Sequence, residues 1–372
     1  MSDAAASMNN RTALGGVLGT RAAQWVRANL FSGWLNTAVT LVIAYLLAKA
    51  LYAVVSWALF NAVWDVPGNQ TQVCRDLHGI GACWALITHN YRFIFFGTYP
   101  YEEQWRPAIV VLIFLGLYGA SAMRRFWSIK LLYAWVIGLA AIGVLMWGGV
   151  FGMPLIETDR WGGLPITLIL ATFGAVIAFP FGVFLALGRR SNLPAIKTLC
   201  VVYIELIRGV PLVSMLFMAS VMLPLFLPQD LTINKLLRAQ VAVIMFAAAY
   251  LAEVVRGGLQ AIPKGQYEAA NALGLTYWQG TAFIILPQAL RIVIPPLVNT
   301  FIAMFKDTSL VSIIAIYDLL NAASATINTE PAWRGFGIEA YLFVALIYWV
   351  FCFSMSKYSQ HVEADLARAQ KR

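Results

Sequence analysis

Leu164-Pro-Ile-Thr-Leu-Ile-Leu-Ala-Thr-Phe-Gly-Ala-Val-Ile-Ala-Phe-Pro-Phe-Gly-Val-Phe-Leu-Ala-Leu187 contains no charged side chain and ends against Gly188-Arg189-Arg190. A helix needs roughly 20 mostly apolar residues to cross the hydrocarbon of a bilayer, and this stretch supplies them. Lipid offers nothing to hydrogen-bond a bare peptide group, so a crossing segment of this kind is a helix. The arginine pair at its end marks the cytoplasmic side, where Lys and Arg accumulate.

Working outward, the same reading finds further apolar runs at Leu35–Phe60, Pro107–Met123, Leu131–Phe151, Val210–Leu227, Leu236–Val255, Ile292–Leu320 and Ile338–Met355. Together they predict an all-α integral membrane protein of about eight transmembrane helices. Composition agrees. The chain is 60% hydrophobic and 12% charged, against about a quarter charged in soluble proteins. The net charge of +9 is held in short clusters between the spans, as topology requires, with no basic aromatic-laced stripe of the nucleic-acid-binding kind. Arg11, Arg21, Arg27, Arg124, Arg125, Lys130, Arg189, Arg190, Lys197, Arg256, Lys264 and Arg291 fall on one side, as do Lys357 and the last residues of the chain. This places both termini in the cytoplasm. The segments are a cytoplasmic 1–34, three N-terminal spans over 35–160 with an outside loop at 61–106, a core over 161–360 with a cytoplasmic loop at 256–291, and a polar tail at 361–372. Pro180, Pro224, Pro295 and Pro296 read as kinks.

Cys74 and Cys83 share the outside loop. In an oxidising compartment they either form a local disulfide or remain two thiols in a folded loop. Cys200 and Cys352 read as small apolar residues. No GxxxxGK[ST], HExxH or GxSxG pattern is present, and His78, His89 and His361 are scattered, so no catalytic centre or metal site is expected. Energy for active transport would come from another chain or an ion gradient.

The loop after the sixth span reads Arg256-Gly-Gly-Leu-Gln-Ala-Ile-Pro-Lys-Gly-Gln-Tyr-Glu-Ala-Ala-Asn-Ala-Leu-Gly-Leu275 and continues to Leu286-Pro287. Pro263 can open a short helix, Glu268, Ala269 and Ala270 favour it, and Gly274 suits a left-handed end. A second short helix is predicted from Tyr277 to Leu286, interrupted at Pro287. Two small alanines beside one carboxylate make either a solvated surface loop or a smooth face that enters a partner's groove.

Glu268-Ala269-Ala270, three residues, Gly274, nine residues, Ile284, one residue and Leu286-Pro287 resemble the EAA motif of binding-protein-dependent ABC importers at every specified position. Tyr203-Ile-Glu-Leu-Ile-Arg-Gly-Val-Pro-Leu212, Lys306-Asp-Thr-Ser-Leu310 and Gly162-Gly-Leu-Pro-Ile-Thr167 are similar to motifs of the polar-amino-acid branch. The N-terminal extension and Gly81-Ala-Cys-Trp84 look like the general L-amino-acid permeases of Gram-negative bacteria. The resemblance implies a C-terminal five-helix permease core in the bacterial inner membrane, translocating amino acids. It implies coupling to a partner ATPase through Glu268, Ala269, Ala270, Gly274, Leu286 and Pro287, with ATP and Mg bound by that partner and no cofactor here. The implied partners are a second, related permease subunit, two ATP-binding subunits and a periplasmic amino-acid-binding protein. It says little of the three additional spans.

Other polar residues lie at the spans. Glu205 and Arg208 share a helix face and can pair, either as an interfacial anchor or as a gate on the substrate route. Lys306-Asp307-Thr308-Ser309 interrupts the seventh run. Charges there face a cavity or each other, so they serve a zwitterionic substrate or neutralise one another. Glu253 and Arg256 read as a structural pair. An ion-gradient-driven secondary amino-acid transporter is the alternative. It predicts an inverted repeat, and none is evident. A membrane-embedded enzyme would need a catalytic set that is absent.

Overall fold

A computed structural model describes residues 23–67, 71–228 and 231–370. Arg11, Arg21, Lys371 and Arg372, which entered the orientation argument, lie outside them. The described elements are helices, apart from isolated bridges at Val63–Cys83 and Gly163–Asp318. Among the described residues seven helices are long and apolar enough to cross a membrane, or eight if one bent pair counts as a span. The chain divides into two compact units, up to Ala85 and from Leu86 onward.

In the first unit, α1 (Trp34–Val55) runs on through a π-helical turn at Ser56–Phe60. No residue of α1 is buried by protein, as befits a helix whose apolar surface is solvated by lipid. Beyond it, α2 (Gln72–Asp76) presents Cys74, which is bonded to Cys83 with their Cα atoms 5.5 Å apart. Of the two readings left open for these cysteines, the structure has the disulfide. The Trp84 ring stacks on Trp64 and donates from Nε1 to the Ala58 carbonyl at 2.8 Å. Gly81 must be glycine, because a Cβ there would strike the Asn61 carbonyl.

The second unit follows from α3 (Ala85–Phe96), a helix inside the predicted outside loop that sequence reading passed over. Next come α4 (Trp105–Ala122) and α5 (Ile129–Trp147). Fully buried Arg106 ties them, donating from Nε to the Leu145 carbonyl at 2.6 Å and from Nη1 to the Pro154 carbonyl at 3.1 Å. The Tyr118 and Thr172 hydroxyls, 2.6 Å apart, join α4 to α6 (Gly163–Arg189). At the centre α6 packs along α10 (Lys235–Ala261). Helix association in lipid relies on close packing rather than a hydrophobic drive, so small residues line the contact. Ala239, Ala242, Ala247, Ala248, Ala249 and Ala252 are buried on α10, and Gly182 of α6 comes so close that a Cβ would lie 2.8 Å from Cβ of Leu251.

Between them the expected fifth span departs from its reading. α7 (Pro194–Gly209) precedes it, and a 101° bend separates α7 from α8 (Leu212–Phe217), the π turn Met218–Met222 and α9 (Leu223–Phe226). The charged Lys197, Glu205 and Arg208 on α7 kept it from reading as a span. After α10 come α11 (Lys264–Ala272), α12 (Tyr277–Gly280), a π turn at Thr281–Ile285 and α13 (Leu286–Ile292). Then follow α14 (Ile294–Asp307), a 3-10 turn at Thr308–Ile314, α15 (Leu319–Thr329) and α16 (Gly337–Gln370). Pro295 and Pro296 stand at a helix start rather than a kink, where a missing N–H costs no hydrogen bond, whereas Pro224 lies inside the continuous helical path Leu212–Phe226, directly after its π turn. Pro287 likewise does not interrupt: the preceding π turn accommodates it, and the helical path extends to Ile292. The polar tail continues α16 as far as Gln370.

The seventh run also differs. It ends at Ala315, whose φ is +54°, and α15 starts anew, capped by Asp318. The fully buried Asp318 carboxylate accepts from the N–H groups of Leu320 at 3.1 Å and Asn321 at 3.0 Å. Gly163 N–H donates to the Tyr317 carbonyl at 2.7 Å and Leu319 N–H to the Thr167 hydroxyl at 3.2 Å. This bend is therefore fastened to the start of α6.

Candidate functional site

The loop after α10 folds as a helix–turn–helix. Gly274 has φ +72°, the left-handed value that lets α11 end in a Schellman turn. Leu275 N–H donates to the Ala270 carbonyl at 3.2 Å and Gly274 N–H to that of Asn271 at 2.9 Å. Thr276 caps α12 reciprocally with Gln279. Glu268 and Ala269 are exposed, but Ala270 is buried beside Gly280. The two alanines therefore do different work: Ala270 closes the motif on itself, and only Ala269 faces outward with Glu268. Leu286 is half-buried and Pro287 exposed. Leu273 is 75% exposed and Trp278 64%. These large apolar side chains stand outside the spans without cover, as docking surfaces do. Sequence reading missed them because their burial depends on which way each short helix turns.

Tyr267 fixes this motif to the spans. Its hydroxyl donates to the Leu259 carbonyl on α10 and accepts from Arg190 Nη1 at the end of α6, both at 3.1 Å. The neighbouring Arg189 is the hub of an ion-pair cluster, reaching Glu205 at 2.8 Å and Glu253 at 2.9 Å. Glu253 also takes Arg256 at 2.7 Å and Arg208 at 3.7 Å. The Glu253–Arg256 pair stands as read. Glu205 and Arg208, however, do not pair with each other: each reaches off its own helix, to α6 and α10. A partner at equal sequence spacing loses to one brought close by packing, since Arg189 and Glu253 converge where α6, α7 and α10 meet. In the sequence Arg189 and Arg190 show only as orientation charges.

The segment Lys306 to Ser309 sits at the α14 end. Lys306 is exposed and Asp307 half-buried, and the Lys306 charge acts on the Asp307 carboxylate although no ion pair within 4 Å joins them among the described residues. Thr308 is buried, its hydroxyl donating to the Phe305 carbonyl at 2.8 Å; Ser309 does the same to Lys306 at 2.8 Å. Both hydroxyls serve the tightened 3-10 turn. Among the described residues no hydrogen bond or ion pair joins the Lys306–Ser309 segment to the Glu205–Arg208 cluster.

A polytopic helical protein with an exposed helix–turn–helix wired to the ends of its central helices is the frame of a transport component. Residues 178–368 match the model of the binding-protein-dependent transport system inner membrane component. The chain belongs to this family and is thus a multi-pass inner-membrane protein. It is 48% identical over 92% of its length to the inner membrane amino-acid ABC transporter permease protein YhdY of Escherichia coli (strain K12), covering 93% of that protein. It is 36% identical to the glutamate/glutamine/aspartate/asparagine transport system permease protein BztC of Rhodobacter capsulatus, over 93% of this chain and 94% of that one. A crystal structure of an amino acid ABC transporter with histidines is 34% identical over 55% of this chain and 92% of that chain, with TM-score 0.49. Membership in this family removes the ion-gradient-driven transporter from consideration.

Proposed function

We propose that this chain is the amino-acid-translocating permease subunit of an ABC importer, with ATP and Mg bound and hydrolysed on a partner and substrate delivered by a binding protein. A second, related permease subunit completes the pore, and both termini face the cytoplasm, as the Lys and Arg distribution favours. The observation that carries the mechanism is the wiring of α11. Tyr267 links it to α10 and to Arg190 of α6, and Arg189 links the same α6 end to α7 and α10 through Glu205 and Glu253. A push on Glu268, Ala269 and Leu273 by a closing ATPase dimer would reach all three inner helix ends together. That is the rigid-body gating by which packed helices switch access. In this reading Glu205 and Arg208 belong to the inner gate, and Lys306 and Asp307 line the route.

Ala269→Trp tests it. The side chain points outward, so insertion and protease resistance of the isolated permease should match the parent, while copurification of the ATPase and ATP-driven uptake fall at least about tenfold, as at a packed interface centre. Unchanged ATPase retention and uptake would refute the docking role of this face.

A further inference from the structure

At the end of α10 opposite the Glu253 cluster, Arg238 lies one turn inside the helix and borders two cavities. One, of about 680 Å³, is polar and is lined by Thr158, Asp159, Asn234, Lys235, Arg238 and Tyr317, among others. The other, of about 560 Å³, is apolar, with Met215, Met218, Met222 and Met245 among its walls. Both volumes suit a small molecule. The guanidinium stands in the partition between them. Its Nη1 donates to the carbonyls of Ala219, at 3.3 Å, and Ser220, in the π turn that breaks the α8–α9 path. Its Nε is buried and has no hydrogen-bond partner. Among the described residues no carboxylate pairs with it; Arg106, the other arginine with a buried unpartnered N–H, differs in having Glu103 at 3.4 Å.

An arginine with an orphaned, desolvated N–H is costly unless something accepts from it. Guanidinium matches the two oxygens of a carboxylate in a bidentate fork, the anionic group an amino acid carries. Across the polar cavity the exposed Asp159 carboxylate also lacks an ion-pair partner among the described residues, and its loop is held to the start of α10 by a hydrogen bond from Asn234 to Thr158. Lys235, which donates to the Ala315 carbonyl at 3.0 Å, is a second cation on the polar cavity, but of the two only Arg238 also borders the apolar one.

We infer that Arg238 receives the α-carboxylate of a zwitterionic amino acid in a binding site of the permease itself, with Asp159 serving the ammonium group and the methionine-lined cavity taking an uncharged side chain. Flexible thioethers adapt to side chains of different shape. The inference rests on the reading of this chain as an amino-acid permease. It places a substrate site away from both the Glu205–Arg208 cluster and the Lys306–Ser309 segment.

The test uses the intact permease–ATPase complex in nanodiscs, without binding protein. Equilibrium dialysis follows labelled L-leucine and L-leucinamide, which differ in the carboxylate. The parent should bind the acid about tenfold or more tightly over the amide, the worth of one charge-assisted hydrogen bond. Arg238→Gln should abolish that preference, Arg238→Lys should keep part of it, and Asp159→Asn should weaken both ligands. Arg238→Gln retaining the preference, or losing only thermal stability while the preference persists, would make Arg238 a clamp on the π turn and overturn the proposal. So would failure of the parent to prefer the acid. ATP-driven uptake of the twenty labelled L-amino acids by the full system is measured in parallel. Absence of any uptake by the parent would sink the permease reading, whereas uptake without an Arg238-dependent acid preference would sink this site alone.

Discussion

Gly274 separates backbone geometry from bulk at the coupling turn. Its φ of +72° is left-handed, and a Cβ built there would meet nothing within 4 Å. Replacing it therefore costs conformation rather than collision inside this chain. An L-residue pays about 1–2 kcal/mol for that conformation, with Asn the least penalised. One to two kcal/mol is roughly a 5- to 30-fold shift against the turn that ends α11 and positions α12. Gly274→Asn should stay near the parent, Gly274→Ala should lose coupling in about that proportion, and Gly274→Trp should lose more, because it adds the same strain and projects an indole from the exposed face. The assay is retention of the ATPase on the tagged permease, together with ATP-driven uptake in vesicles. Equal performance of all three variants would refute the left-handed turn as a requirement. Full uptake by Gly274→Trp with normal ATPase retention would refute this loop as the coupling element.

Glu253→Gln removes the carboxylate shared by Arg189, Arg208 and Arg256, so we expect a lower thermal unfolding temperature in detergent, by an amount reflecting about 1–3 kcal/mol; an unchanged temperature would show that the cluster is solvent-screened and adds nothing. Because Lys306 and Asp307 are adjacent opposite charges that act on one another, the double variant Lys306→Met/Asp307→Asn should lose less uptake than the sum of the single losses, and strictly additive losses would show that the two charges act independently. A cysteine placed at the exposed Val73, with the buried Cys74–Cys83 disulfide left intact, should react with an impermeant maleimide in spheroplasts. Protection until the membrane is opened would invert the proposed orientation.

The apolar runs by themselves determined that this is a helical membrane protein and located most of its spans, because lipid leaves a crossing backbone few solutions and a run of about 20 residues registers them one by one. The Glu268–Gly274 turn was equally legible, since a helix start at Pro263 and a left-handed end at Gly274 are local matters settled by backbone sterics. Local rules failed where an element takes its meaning from a neighbour. α7 carries charges that masked it, the bend at Ala315 is held by α6, and α15 lies almost wholly beyond the run ending at Leu320, with its capping Asp318 read as part of that span. The ionic partners failed for the same reason. Sequence spacing offered Arg208 to Glu205, whereas the packing of α6, α7 and α10 offered Arg189. Ala269 and Ala270 are chemically identical neighbours, and only the docking of α12 beside Gly280 decides that one faces outward and the other in. Spacing along a chain specifies which side chains share a face, but which face meets another helix is a property of the assembled fold.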